Sequence, residues 1–339
     1  MKTATVPVIL GSVLVALTAL PAGARADGPI NLPEFRMPTM GGKQFWADEF
    51  FFHQWRIQRN VLTGHCRLLD EGDFRHESGT FRECRSRLEG IRREQNLPPM
   101  QGRAVIVVHG LFRSRSSMEK LCRHLRQQGG YTVFNVGYPS TQRDVGSHAR
   151  ALDQIIENLS GIEEINFVAH SMGNIVVRHY LADHTRDSSP SGSPPSTIVR
   201  RPDPRIRRFV MLGPPNHGSL AAVALSENAV FKILAGEAGQ ELGAEWAKLE
   251  DRLATPACEF GIVAGGREDR WGYNPLVPGD DDGTVSVAST RLAGARDFVV
   301  VPVLHSFLVT DKRALEYTLR FLREGHFSAT GERRPVPVQ

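Results

Sequence analysis

Ser171 lies in the run Ala169-His170-Ser171-Met172-Gly173, where a β-branched apolar stretch meets a helical pattern. A serine hydroxyl becomes a nucleophile when a histidine takes its proton, a carboxylate orients that histidine, and amides stabilise the oxyanion that forms. Small residues two before and two after the serine let strand and helix backbones meet at a tight turn, a need that Ala169 and Gly173 satisfy. The turn also sets Ser171 at a helix N-terminus, where amides and the helix dipole favour negative charge. Alone the pattern is weak. At average usage of about 7% each for Gly, Ala and Ser it arises by chance in roughly one chain in four of this length.

The remaining roles have candidates on both sides. Upstream, Val107-Val108-His109-Gly110-Leu111-Phe112 ends a strand, and Gly110 lets the backbone turn closely beneath a substrate. The amides of Leu111 and Met172 are the expected oxyanion donors, with His109 in a supporting role at the strand end. Downstream comes the acidic run Asp280-Asp281-Asp282, followed by Gly283-Thr284-Val285. Asp282 is the preferred acid because a turn residue and then a β-branched anchor follow it directly. Asp280 and Asp281 are the runners-up, and a solvated loop or a calcium site are the other readings of clustered carboxylates. His305, in Val303-Leu304-His305-Ser306-Phe307, is the candidate base. From the Ser171 helix onward, His179, His184 and His217 also precede or share this interval, but only His305 follows a strong acid candidate. His326 is too near the chain end.

The surrounding pattern positions these residues. From about Gly102, short apolar runs alternate with helical spacing, as in a parallel sheet with crossover helices. Strands are expected at 104–108, 131–136, 165–169, 208–212, 260–264 and 298–302, and a final helix at about 311–324. Ser116-Ser117-Met118-Glu119 reads as a capping box opening a helix with Leu121, Cys122 and Leu125 on one face. Ser188 to Ser196 reads as part of a surface insertion (186–204). Residues 219–253 read as a helical lid, with Leu242, Trp246, Leu249 and Leu253 at helical spacing. Residues 27–101 contain an aromatic stretch, a hairpin across Leu62-Thr63-Gly64 and a charged helix at Thr80 to Gln95. They are expected to supply the first strands of the sheet. Residues 326–339 read as a flexible tail, and no internal repeat is present.

With Ser171, Asp282 and His305 in that chain order, the sequence resembles the α/β-hydrolase superfamily, in the lipase/esterase branch whose turn reads G-H-S-M-G or A-H-S-M-G. The resemblance covers about residues 102–325. It implies a mostly parallel central sheet flanked by helices with a helical cap, and a Ser–Asp–His triad needing no cofactor or metal. Gly213-Pro214-Pro215-Asn216-His217-Gly218-Ser219 is similar to the turn that begins the cap in such lipases, so His217 is expected to be architectural. Ala169 departs from the commoner glycine.

Composition narrows the setting. The 339 residues are 41% hydrophobic and 23% charged, with a formal net charge of +4. Discounting Lys2 and Arg25 leaves +2, a balance too small to argue for nucleic acid or a membrane surface. Lys2, the apolar run Val6 to Leu20 and Ala24-Arg25-Ala26 form a secretory-signal pattern over residues 1–26, an uncleaved anchor being the alternative. Export would permit disulfides among Cys66, Cys84, Cys122 and Cys258; Cys66–Cys84 is the first candidate pair, and four buried thiols the alternative.

The expectation is therefore an exported carboxylic ester hydrolase acting through an acyl-enzyme. Its substrate would be a small-molecule or lipid ester with an apolar acyl group, met by transient contact with a lipid surface. Acyl transfer to an alcohol, thioester or amide cleavage, and a non-catalytic binding module on the same fold stay open. Nothing in the sequence sets an oligomeric state.

Overall fold

The computed structural model describes residues 37–38, 45–184, 202–218, 236–243 and 245–338. The expected signal segment, most of the 186–204 insertion and residues 219–235 of the expected lid lie outside the described residues.

Four strands dominate the first part of the described chain: β2 (Trp46–Phe52), β3 (Trp55–Asn60) and β4 (Cys66–Leu69), which carry buried residues, and the more exposed β5 (Phe74–Gly79). With the short β1 (Met37–Pro38) they form their own antiparallel sheet in the order β1-β5-β4-β3-β2. The hairpin at Leu62-Thr63-Gly64 joins β3 to β4. Thr80 then caps α1 (Phe81–Glu94) with a full capping box to Glu83. This region was expected to extend the main sheet. It instead packs beside it, with Phe51 against Phe134 at 5.5 Å between ring centroids.

The main sheet has six parallel strands: β6 (Gly102–Val108), β7 (Thr132–Val136), β8 (Ile162–His170), β9 (Ile206–Leu212), β10 (Glu259–Gly266) and β11 (Asp297–Pro302). Their spatial order is β11-β10-β9-β8-β6-β7. Successive strand residues point to opposite faces, so β6 serves two cores. Ala104, Ile106 and Val108 pack with α3 (Val145–Glu157) and α4 (Met172–Asp183). Val105 and Val107 pack with α2 (Glu119–Gly129) and a C-terminal helix at Lys312–Glu324. A strand covered on both faces has no use for polar alternation, which is why its sequence is continuously apolar. Short helices α5 (Trp246–Glu250) and α6 (Val287–Thr290) precede that last helix, α7. Among the described residues no helix is long and apolar enough to cross a membrane.

Two expectations change, and the alternative left open for the cysteines is settled. α2 does not start from a capping box at Ser116: a 3-10 turn at Arg115–Met118 precedes it, and the Ser116 hydroxyl pairs with that of Ser114 at 2.8 Å. The four cysteines are free thiols, and burial pushes the Cys84 thiol up to about 12. Residues 326–338 are pinned rather than a loose tail. Phe327 is buried, and Asp297 accepts from the amides of Phe327 (2.6 Å) and Arg334 (2.8 Å). Val336 exchanges backbone hydrogen bonds with Gly294 and Ala295, each 2.9 Å.

Candidate active site

β8 runs directly into Ser171, whose backbone sits at φ 55° and ψ −129°, a conformation rare for a residue with a side chain. Such strain costs about 1–3 kcal/mol and persists only where neighbours hold it. Here the Ser171 amide donates to Leu212 O at 2.9 Å, while Asn174 donates to Ser171 O through its amide (3.0 Å) and its side chain (2.9 Å). A Cβ on Gly173 would lie 2.6 Å from both Val108 O and His109 O, and one on Gly110 would lie 2.8 Å from Ser171 Cβ. Both glycines are therefore required by close approach. Ala169 is fully buried in the core, so its methyl fits where the commoner glycine would leave space.

Loops at the carboxyl ends of β10 and β11 bring the acid and base together. His305 Nδ1 lies 2.6 Å from Asp282 Oδ2, and the His305 amide donates to Asp282 O at 2.8 Å. Asp282 Oδ1 accepts from the amides of Thr284 (3.0 Å) and Val285 (2.8 Å), so every oxygen of this buried residue is engaged. Gly265 and Gly213 make room: a Cβ on the first would meet Asp282 Cβ at 2.7 Å, and on the second the His305 ring at 3.1 Å. His305 Nε2 is buried and has no partner among the described residues. It is the nitrogen left to receive a proton.

The three adjacent carboxylates separate by partner. Asp281 accepts from the amides of Asn274 and Gly283, and Asp280 from those of Arg267 (2.7 Å) and Glu268 (3.0 Å). Both brace loops. Only Asp282 faces an imidazole. Among the described residues no group of His, Cys, Asp and Glu side chains could hold a metal ion.

Gly110 and Leu111 follow β6 opposite the N-terminus of α4, where Met172 is the first helical residue. Among the described residues neither the Leu111 nor the Met172 amide donates to a carbonyl, which leaves both available to an oxyanion. His109 sits at this turn. Its Nδ1 contacts Gly110 O at 2.9 Å, its ring stacks on Tyr138 at 4.3 Å, and the Tyr138 hydroxyl donates to His109 O. The antiparallel sheet buttresses the same loop. Asp73 pairs with Arg56 and, at 3.3 Å, with Arg115, whose Nε donates to Asn135 O at 2.8 Å.

Of the other histidines, His179 pairs with Asp183, His184 with Asp153 and His217 with Glu250 on α5, all apart from the Asp282–His305 pair. Sequence reasoning left His170 without a role. Its buried ring lies 4.6 Å from that of His305, and its Nε2 contacts His305 O at 3.0 Å. Burial, then the nearness of His305, holds it well below the ordinary histidine range, so it stays neutral while clamping the backbone of the base.

Burial likewise pushes His109 down to about 4 and His148 to about 3, in the latter case with repulsion from His109. In the unfolded chain both titrate near 6.5. Between those values the unfolded state binds more protons, so stability falls as pH drops below about 6.5, on the order of 2 kcal/mol per group by pH 4.5. Urea unfolding at pH 7 and pH 4.5 should show this drop, and His148→Gln should lose part of it. Equal midpoints at the two pH values would contradict the neutral, buried assignment.

Residues 103–231 match the family model for the α/β-hydrolase fold. No curated protein matches the chain significantly. Among solved structures, the lipase BlEst2 of Bacillus licheniformis is 20% identical, covering 67% of this chain and 91% of that one at a TM-score of 0.47. The phospholipase PlaB of Legionella pneumophila is 17% identical, covering 66% and 60% at 0.46. The Staphylococcus hyicus lipase is 13% identical, covering 62% and 89% at 0.45.

Proposed function

Because the chain carries an α/β-hydrolase fold, its six-stranded parallel sheet flanked by helices, we propose that it is a serine hydrolase cleaving carboxylic esters with apolar acyl groups. The observation that carries the reading is the buried Asp282–His305 pair at 2.6 Å with its Nε2 unpartnered, together with a serine at a strained turn whose neighbour His170 contacts His305 O at 3.0 Å. Ser171 Oγ attacks the ester carbonyl as His305 Nε2 takes its proton, and Asp282 stabilises the imidazolium through Nδ1–H. The oxyanion is held by the Leu111 and Met172 amides. The imidazolium then protonates the departing alkoxide, leaving an acyl-serine and an alcohol. Water, deprotonated by His305, attacks the acyl-serine; the carboxylic acid leaves and Ser171 regains its proton.

The apolar acyl group is supported by Phe112 beside the oxyanion turn and by Leu304 and Phe307 flanking the base, all three exposed. Turnover of p-nitrophenyl acetate, butyrate and octanoate tests it. At about 0.8 kcal/mol per buried methylene, even partial burial of the chain raises kcat/KM by at least about tenfold from acetate to octanoate. A preference for acetate would overturn the apolar reading. Export is part of the proposal, supported by the N-terminal signal pattern, and recovery of a processed chain beginning at Asp27 from outside the cytoplasm tests it.

A further inference from the structure

A cavity of about 330 Å³ lies where β3 and β4 of the antiparallel sheet meet the loop after the oxyanion turn. Three guanidinium groups line it, those of Arg56, Arg67 and Arg115, and their donors are not used up. Arg56 is 2% exposed, yet its Nε makes no hydrogen bond; Asp48 Oδ1, 3.5 Å from it, accepts from Gln58 Nε2 at 2.7 Å. Arg67 spends Nε and Nη2 on one neutral oxygen, Gln58 Oε1, at 3.0 and 2.7 Å. Among the described residues no carboxylate pairs with it. Asn135, which also lines the cavity, commits Nδ2 to Arg115 O at 3.0 Å, and its buried Oδ1 is unpartnered.

The neighbouring acids are engaged or stand outside. Asp73 is shared by Arg56 and Arg115, and Asp48 also accepts from the Gly137 amide at 2.6 Å. Glu119 pairs with Arg126 at 3.5 Å, and Asp70 accepts from His76 Nε2 at 2.8 Å and the Phe74 amide at 3.0 Å. Glu71, the remaining acid of the lining, is exposed on the turn before Asp73. Burial first, then the charge of Arg56, pushes the Arg67 guanidinium down to about 10, and Arg75 acts in the same direction. Burial lowers Arg56 as well, against the pull of Asp48. A lowered guanidinium holds positive charge that the surrounding carboxylates do not fully offset. Buried donors and a buried acceptor left unpaired around one cavity point to a polar ligand rather than to a closed ion-pair network. Forked guanidinium groups suit the oxygens of a carboxylate or a phosphate. A phosphate that keeps its P–OH can in addition donate to Asn135 Oδ1, which a carboxylate cannot.

We propose that this cavity binds phosphate, as the free ion or as the end group of a small phosphomonoester. The site shares no residue with Ser171, Asp282 and His305 and does not rest on the ester-hydrolase reading. Arg115 donates Nε to Asn135 O at 2.8 Å and follows the oxyanion turn closely in sequence, so an occupied cavity ties that loop to the antiparallel sheet. The test uses the full chain with inorganic phosphate, glycerol 3-phosphate and acetate, each compared with potassium chloride at equal ionic strength. Calorimetric titration should give a Kd of about 0.1 mM for phosphate, and about 10 mM should raise the unfolding temperature by about 4 °C. Amide hydrogen exchange should slow at residues 67–73 and 114–119. Glycerol 3-phosphate binding within about threefold of the free ion would identify an end-group site, and much weaker binding an inorganic-phosphate site; acetate should bind at least about tenfold more weakly. Arg67→Gln should weaken phosphate binding about tenfold or more. Glu71→Gln, on an exposed turn that folding does not depend on, should tighten it about threefold. No binding of phosphate at millimolar concentration, an equal thermal shift in chloride, or acetate binding as tightly would overturn the proposal. So would unchanged affinity in Arg67→Gln or weaker binding in Glu71→Gln.

Discussion

Asp282→Asn should lower kcat by about 10⁴-fold, whereas Asp280→Asn and Asp281→Asn should each change it by less than about tenfold. The difference follows from what each carboxylate accepts. Oδ1 of residue 282 receives the amides of Thr284 and Val285, so an asparagine must keep its carbonyl oxygen there. Its NH₂ group then points at His305 Nδ1, the atom that faces Oδ2 at 2.6 Å in the present chain. A donor meeting Nδ1 forces the ring proton onto Nε2, and a protonated Nε2 cannot accept from Ser171. Asparagine at 281 loses charge against the amides of Asn274 and Gly283, which weakens a loop without changing a tautomer. Steady-state kinetics on a soluble ester, with urea unfolding of all three variants, separates the two effects. An Asp282→Asn enzyme within tenfold of the parent would remove Asp282 from the mechanism.

Gly173→Ala should cost about 3 kcal/mol of stability and about 10²-fold in kcat. The added methyl would sit 2.6 Å from the carbonyl oxygens of Val108 and His109, and backbone at the end of a central strand cannot yield as a flexible side chain can. Relief must come from moving α4 away from β6, which separates the Met172 amide from the Leu111 amide. Ala169→Gly, two residues before the serine, removes a methyl that fits; it should cost about 1 kcal/mol and leave catalysis nearly intact. Thermal unfolding with kcat on the same samples checks the pair. Parental activity in Gly173→Ala would contradict the close approach at the turn.

How much of this was legible beforehand depended on whether the signal was local. The continuous apolar run at 104–108 reads directly as a strand buried on both faces, and β6 is one. The strand-to-helix switch around Ser171 and the placement of Asp282 and His305 after late strands are likewise patterns along the chain. Non-local pairing is not written that way. Residues 46–79 show strand character, yet nothing in their alternation says whether they join the parallel sheet or make their own, because partner choice depends on surfaces far away in sequence. Phe327 is one of a few apolar residues in a largely polar tail, and its anchorage depends on Asp297, thirty residues earlier. His170 sits inside the recognised five-residue turn, but its partner, His305, is 135 residues on. Ser116 matched a capping pattern, and its hydroxyl instead serves the loop that follows the oxyanion turn.

The central claim is that Ser171 is a nucleophile activated by His305, and covalent labelling by a fluorophosphonate tests it most directly, because the reagent reports activation of the serine independently of any substrate. The parent chain should label stoichiometrically, Ser171→Ala should not label, and His305→Ala should label slower by about 10³-fold or more. Equal labelling of the parent and Ser171→Ala would contradict the account.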